Sequence, residues 1–213
     1  MRPLLITAGA THNPIDSMRS ITAHASGQTG AWLAQELYSD FTVTFLGSRL
    51  AMANTKAPVL MDSYQSTRDL EQKMKDWVHS NPNGIVIHSA AVGDYEVKNA
   101  GTNHKIPSGQ AEIHITLTPT PKILPQLISW SSALSIISFK AAPPETDTAA
   151  LLEIARKQCV STSSTLVFAN VIGQTHRDVM LVAPATHQLF AARRSALEHL
   201  VQFIQTDLKS PQP

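Results

Sequence analysis

The residues of this sequence that could do chemistry stand at the ends of apolar runs. Gly9 follows Leu4-Leu5-Ile6-Thr7-Ala8, and Ser26-Gly27-Gln28-Thr29-Gly30 opens an Ala/Leu-rich stretch. Asp94 closes the small-residue run Ser89-Ala90-Ala91-Val92-Gly93, which itself leaves Ile85-Val86-Ile87-His88. Lys140 ends the run that begins at Ser135, and Asn170 ends the run that begins at Thr165. Arg19 and Lys105 lie in polar segments between such runs. Small residues that let a ligand approach the backbone, N–H donors at a helix start and local positive charge suit a phosphate-bearing ligand. Each residue also has an ordinary structural reading: Asp94 as a turn or capping carboxylate, Lys105 as one more solvated lysine.

For these groups to meet, the apolar runs must be neighbouring strands. Residues 4–8 read as a buried strand ended by Gly9, and the long polar loop 10–25 leads into a helix over about 27–38. Unpaired N–H groups and the positive end of a helix dipole then lie beside the carboxyl end of a strand. The usual G-x-G-x-x-G dinucleotide turn is absent, because Ala25 occupies its first glycine position and the loop is too long. Gly27 and Gly30 fit either a phosphate turn or close packing of helix on sheet, and motif evidence alone does not separate the two.

Further strands are expected at 41–46, 85–88, 135–140 and 165–170, with a short one at 59–61 after an irregular 48–61 segment. Helices are expected from 66 to about 80, 123–130, 146–159 and 193–208, the first of these opened by Ser66-Thr67-Arg68-Asp69. Residues 112–118 alternate polar and apolar, as a strand with one wet face would; His114 falls on that face, which argues against a metal role. Residues 178–183 complete the alternation. The fold class is therefore α/β, a mostly parallel, doubly wound, Rossmann-like sheet with helices on both faces, forming one nucleotide-binding domain over 1–213. Loops after the strands make the site in such folds, and residues 96–111 read as a mobile loop.

Composition narrows the function further. Seventeen basic and sixteen acidic residues give a net charge of +1, which points away from nucleic acid and from an anionic membrane surface. Apolar runs fall short of the ~20 residues of a membrane span, and a cytoplasmic location is expected. Cys159 is the lone cysteine, so neither an internal disulfide nor a thiolate metal site is expected, and an inert thiol beside Val160 is the simpler reading. No set of protein metal ligands stands out.

Several segments together resemble phosphopantothenoylcysteine synthetase, also called phosphopantothenate–cysteine ligase, in its monofunctional bacterial form. They are Ile6-Thr7-Ala8-Gly9-Ala10-Thr11 with the following 14–22, Ser26-Gly27 with Gly30, His88-Ser89-Ala90-Ala91-Val92-Gly93-Asp94-Tyr95, Lys105-Ile106-Pro107-Ser108, Thr120-Pro121-Lys122-Ile123-Leu124, Ser138-Phe139-Lys140 and Ala169-Asn170. The resemblance implies a homodimer that uses CTP, or ATP, with Mg²⁺ to activate 4′-phosphopantothenate as an acyl-nucleotide, which cysteine then attacks. It implies nucleotide contacts at Gly9, Ser26, Gly27, Ala90, Ala91, Asp94, Pro121, Lys122, Ile123, Leu124 and Phe139. Lys105 matches a lysine needed for acyl-nucleotide formation, inside a flap over about 96–111. Arg19, His24, Lys140 and Asn170 are candidates for substrate or phosphate. The flavoprotein label attached to the family belongs to a decarboxylase domain, so no flavin is expected.

The sequence departs from the family pattern at Ala23, where an asparagine implied in the second half-reaction is expected; alanine offers no side-chain hydrogen bond. Ser161-Thr162-Ser163-Ser164 stands where a basic residue is common, and Val171 where an aspartate is. Three outcomes stay open: a working ligase in which His24 or water supplies the missing amide's role, a variant impaired in the second step, or a non-catalytic nucleotide-binding relative. An NADP-dependent oxidoreductase is the outside alternative, with Arg49 as a possible 2′-phosphate partner. Ile15, Met18 and Ile21 in the first loop need burial, and with the resemblance they predict a loop that reaches a two-fold partner and completes its substrate site.

Overall fold

The computed structural model describes residues 1–100 and 105–210. Strand β1 (Pro3–Ala8) is followed by the short strands β2 (His12–Pro14) and β3 (Ser20–Thr22), helix α1 (Gln28–Leu37) and strand β4 (Thr42–Gly47). Next come α2 (Arg49–Asn54), β5 (Leu60–Ser63), α3 (Thr67–Ser80), β6 (Ile85–His88), β7 (Tyr95–Val97) and β8 (Leu117–Pro119). The remainder is α4 (Ile123–Trp130), β9 (Ser135–Ala142), α5 (Thr148–Ser161), β10 (Leu166–Val171), β11 (Val179–Val182), β12 (His187–Phe190) and α6 (Arg193–Asp207).

Eight strands form the main sheet in the order β12-β11-β10-β9-β6-β1-β4-β5. The six strands from β10 to β5 run parallel, and β11 and β12 close one edge antiparallel. Parallel pairing in the middle explains why β1, β6 and β10 are apolar on successive residues: helices cover both faces, so neither side chain of an adjacent pair meets water. Leu4 and Ile6 pack on the α1 and α6 side, while Leu5, Val86 and Ile136 pack against α3 and α4. Cys159 of α5 lies buried with Val167 and Ala169, and burial pushes its thiol pKa up, which leaves it an inert packing residue.

Helix α3 shows how local signals set the boundaries. The Ser66 hydroxyl accepts the Asp69 N–H at 3.2 Å while the Asp69 carboxylate accepts the Gln65 N–H at 2.9 Å, a reciprocal cap at the predicted start. Leu70, Met74 and Val78 then bury one face.

Three segments differ from expectation. The 48–61 segment holds a six-residue helix, α2, capped by Ser48, which is too short to show a hydrophobic period. Of residues 112–118 only the end pairs, where Leu117–Pro119 forms a two-stranded ribbon with Tyr95–Val97, and Ile113 and Ile115 are exposed. Alternation there reports no buried face. The first loop folds into the hairpin β2–β3, held to the body because Asn13 Oδ1 accepts the Thr67 N–H at 2.9 Å and Asn13 Nδ2 donates to the Tyr95 carbonyl at 2.8 Å.

Candidate functional site

The chain leaves β1 for β4 on one side and returns to β6 on the other, so the loops after β1 and β6 diverge. A crevice of about 680 Å³ opens there. Its floor is rigid: Ala91 N–H donates to Gly9 O at 2.8 Å and Thr11 N–H to Ala91 O at 3.1 Å, while the Tyr64 hydroxyl contacts the Ala8 and Gly9 carbonyls at 2.8 and 2.9 Å. Gly9 has φ +87°, and a Cβ there would meet Ser48 Oγ at 2.0 Å. Only glycine fits that turn.

Helix α1 opens onto the same crevice. Gly27 is its N-cap with φ 76° and no capping side chain, its first turn carries no acid, and among the described residues Thr29 and Gly30 N–H have no partner. A Cβ on Gly30 would lie 2.5 Å from Ala8 Cβ and one on Gly27 2.3 Å from Ala51 Cβ. Close packing therefore needs both glycines, and that packing is what brings the free N–H groups to the crevice, so the two readings of the motif are compatible.

Asp94 is aimed by a buried polar network that composition did not reveal. Gly93 N–H donates to Thr11 Oγ1 at 2.8 Å, Thr120 Oγ1 donates to Gly93 O at 2.6 Å, and Thr120 N–H donates to Asp94 O at 3.0 Å. The Asp94 carboxylate pairs with Lys122 at the exposed rim, an ion pair worth at most about 1 kcal/mol and open to exchange for a ligand. Pro121, Ile123 and Leu124 continue this wall. On the other wall Phe139 stacks on Phe168 with ring centres 4.8 Å apart, and Lys140 and Asn170 follow from the ends of β9 and β10.

His88 sits at the back. Its Nδ1 lies 2.9 Å from Thr7 Oγ1, which also accepts the Ala90 N–H at 3.3 Å and so has its own proton to give. Burial pushes the imidazole pKa down to about 4, leaving it neutral at physiological pH.

The crevice thus gathers Gly9, His24, Ser26, Gly27, Ala90, Ala91, Asp94, Pro121, Lys122, Ile123, Leu124, Phe139, Lys140 and Asn170. Arg19, Ala23 and Lys105 do not line it. Arg19 instead donates to Ile106 O at 2.8 Å and pairs with Asp16 at 3.2 Å. Ala23 is exposed beside His24, and Lys105 is exposed next to the anchored Ile106; residues 101–104 of the expected flap lie outside the described residues. Arg49 lines a different cleft with His12 and Tyr64, so the 2′-phosphate role considered for it has no place in this crevice. Sequence reasoning missed Arg193, at the start of α6, which lines the crevice beside Asn170. The available signal was a pair of arginines opening a helix whose first turn carries no acid.

No helix among the described residues is long and apolar enough to cross a membrane. Residues 1–201 match the sequence family described as DNA/pantothenate metabolism flavoprotein C-terminal domain. The chain belongs to this family. The coenzyme A biosynthesis bifunctional protein CoaBC of Thermococcus kodakarensis is 32% identical over 188 residues, 84% of this chain and 44% of that protein. Human phosphopantothenate–cysteine ligase is 33% identical over 103 residues, 47% of this chain and 32% of the human one. The chain spans less than half the length of these relatives. The crystal structure described as the DNA/pantothenate metabolism flavoprotein from Streptococcus pneumoniae superimposes with a TM-score of 0.83 at 26% identity, covering 97% of this chain and all of that one. The family match runs from β1 into α6 and so includes every element that lines the crevice.

Proposed function

We propose that this chain is a phosphopantothenate–cysteine ligase working through an acyl-nucleotide. The observation that carries this reading is the crevice of a chain of this family: unbonded α1 N–H groups, one carboxylate and the cations Lys122, Lys140 and Arg193 around a space of nucleotide size. A polyanion meets net positive charge there, and Ala90, Ala91 and the 121–124 segment offer backbone groups to a base or ribose.

In the proposed reaction one carboxylate oxygen of 4′-phosphopantothenate attacks the α-phosphorus of CTP, or ATP, and pyrophosphate leaves. The amine of cysteine then attacks the acyl carbon; the amide forms, the amine loses a proton and the nucleoside monophosphate leaves. An anion attacking an anion is opposed by charge, so N–H donors and cations must offset the charge gathering on the phosphoryl oxygens. Lys105 serves that need in the first step. Asp94 is the lone carboxylate among the described lining residues, and a single carboxylate plus substrate phosphates is how Mg²⁺ is commonly held. Bound there, Mg²⁺ would neutralise phosphate charge.

His24 lines the crevice while its neighbour Ala23 does not, which favours a ligase in which His24 takes over from the missing asparagine. Met18 is 70% exposed at the tip of the first loop, with Ile15 and Ile21 half-buried beneath it, which suits a homodimer whose partner covers this loop. A cytoplasmic location suits a free buried thiol and these substrates. Purified protein with 4′-phosphopantothenate, CTP or ATP, Mg²⁺ and cysteine should release pyrophosphate and monophosphate in equal amounts with one amide product. Absence of nucleotide-dependent amide formation with either triphosphate overturns the reading.

A further inference from the structure

We propose that Arg193 is the phosphate anchor of the crevice, a guanidinium held ready for a phosphate group. This rests on the nucleotide-binding reading above. Arg193 is half-buried and lines the crevice, and burial pushes its pKa down, yet among the described residues no carboxylate lies within ion-pairing distance. Its contacts are all neutral, with Asn170 Oδ1 and Thr175 O at a long 3.4 Å and Thr29 Oγ1 at 3.1 Å.

Arg2 provides the contrast within the same molecule. It too is buried without a carboxylate, but all three of its nitrogens donate, to Asn83 O, Ser135 Oγ and Leu208 O at 3.0, 2.9 and 2.8 Å, and it does not line the crevice. Arg2 is a structural clamp; Arg193 faces the crevice, and among the described residues its Nε has no partner and two of its three bonds are stretched to 3.4 Å. Its position is also electrostatically costly. It opens α6, where the helix dipole disfavours a cation, and the adjacent Arg194 relieves the same problem by pairing with Glu198 and lying over Trp32. Arg193 has no such carboxylate partner among the described residues.

What fixes it is aromatic. The guanidinium lies 4.9 Å from the Phe168 ring centre, and Phe168 stacks on Phe139, so the cation is stiffly mounted on the crevice wall. Thr29 brings it next to the free N–H groups that open α1. A phosphate seated between them would accept a bidentate guanidinium fork and two backbone donors together. The phosphate could belong to the nucleotide or to 4′-phosphopantothenate.

Binding without turnover tests this. Calorimetry of the unmutated protein and of Arg193→Gln and Arg193→Lys would use inorganic pyrophosphate, CTP, cytidine and 4′-phosphopantothenate, each alone with Mg²⁺. Arg193→Gln should weaken pyrophosphate and CTP, or 4′-phosphopantothenate, about 10-fold or more and leave cytidine unchanged; whichever arm falls names the source. Arg193→Lys, which keeps the charge over Phe168, should recover part of the loss and guards against a folding artefact. Equal binding by Arg193→Gln in both phosphate arms overturns the anchor. If the unmutated protein binds pyrophosphate but no nucleotide, the ligase reading fails, and the pyrophosphate affinity of Arg193→Gln alone decides the anchor.

Discussion

Asp16 and Ile106 are 90 residues apart in sequence, yet Asp16 Oδ2 accepts the Ile106 N–H at 3.0 Å. The same carboxylate accepts Met18 and Arg19 N–H at 2.8 Å each, and those backbone bonds hold its pKa down at about 2. One side chain therefore ties the first loop to the residue that follows Lys105. Asp16→Ala should abolish amide-exchange protection at Ile106 and slow pyrophosphate release, with little change in nucleotide affinity. Because the folded pKa is depressed below the ordinary aspartate value near 4, the tie is at full strength above that value and is lost as pH falls toward 2. Unchanged Ile106 exchange would show that the flap is held by something else.

Lys105→Gln should slow pyrophosphate release on the order of 10²-fold, as for other groups that stabilise developing charge, while CTP binding changes little. A rate equal to that of the unmutated protein removes Lys105 from the mechanism.

His24→Ala should slow release of the nucleoside monophosphate about 10²-fold and leave pyrophosphate release near its normal rate, so that the acyl-nucleotide accumulates. Adding Ala23→Asn to that variant should restore the second step. Undiminished monophosphate release in His24→Ala assigns the work to water or to another group.

His88 gives a stability signature at mildly acid pH. Its pKa is near 4 folded and about 6.5 unfolded, so the unfolded chain takes up the proton first. Its contribution is complete above about 6.5 and is lost as pH falls to about 4, a change on the order of 3 kcal/mol. Denaturant midpoints of His88→Gln across that range should be flatter than those of the unmutated protein. Parallel curves would mean that His88 is protonated in the folded state.

The sheet was legible because β1, β6, β9 and β10 are apolar on both faces, a pattern that only a central strand produces, and each delivers a polar or small residue at its carboxyl end. That pattern alone points Asp94, Lys140 and Asn170 toward one crevice, which all three line. Residues 112–118 misled because alternation reports amphiphilicity and says nothing about a pairing partner. Arg193 escaped notice because it lies far along the chain at a helix start, where an arginine ordinarily means solvent; its meaning depends on Phe168 and Thr29, which only the fold brings to it. The Thr11 and Thr120 network was hidden for the same reason, since threonine in isolation carries no directional signal.

The central claim is that the pantothenate carboxylate becomes bonded to the α-phosphorus before cysteine attacks. With both carboxylate oxygens of 4′-phosphopantothenate labelled with oxygen-18, one label must remain on the leaving monophosphate when the amide forms. Mass spectrometry of a complete reaction with CTP should find CMP carrying one oxygen-18 and unlabelled pyrophosphate. Unlabelled CMP, or label in pyrophosphate or inorganic phosphate, would contradict the acyl-nucleotide account.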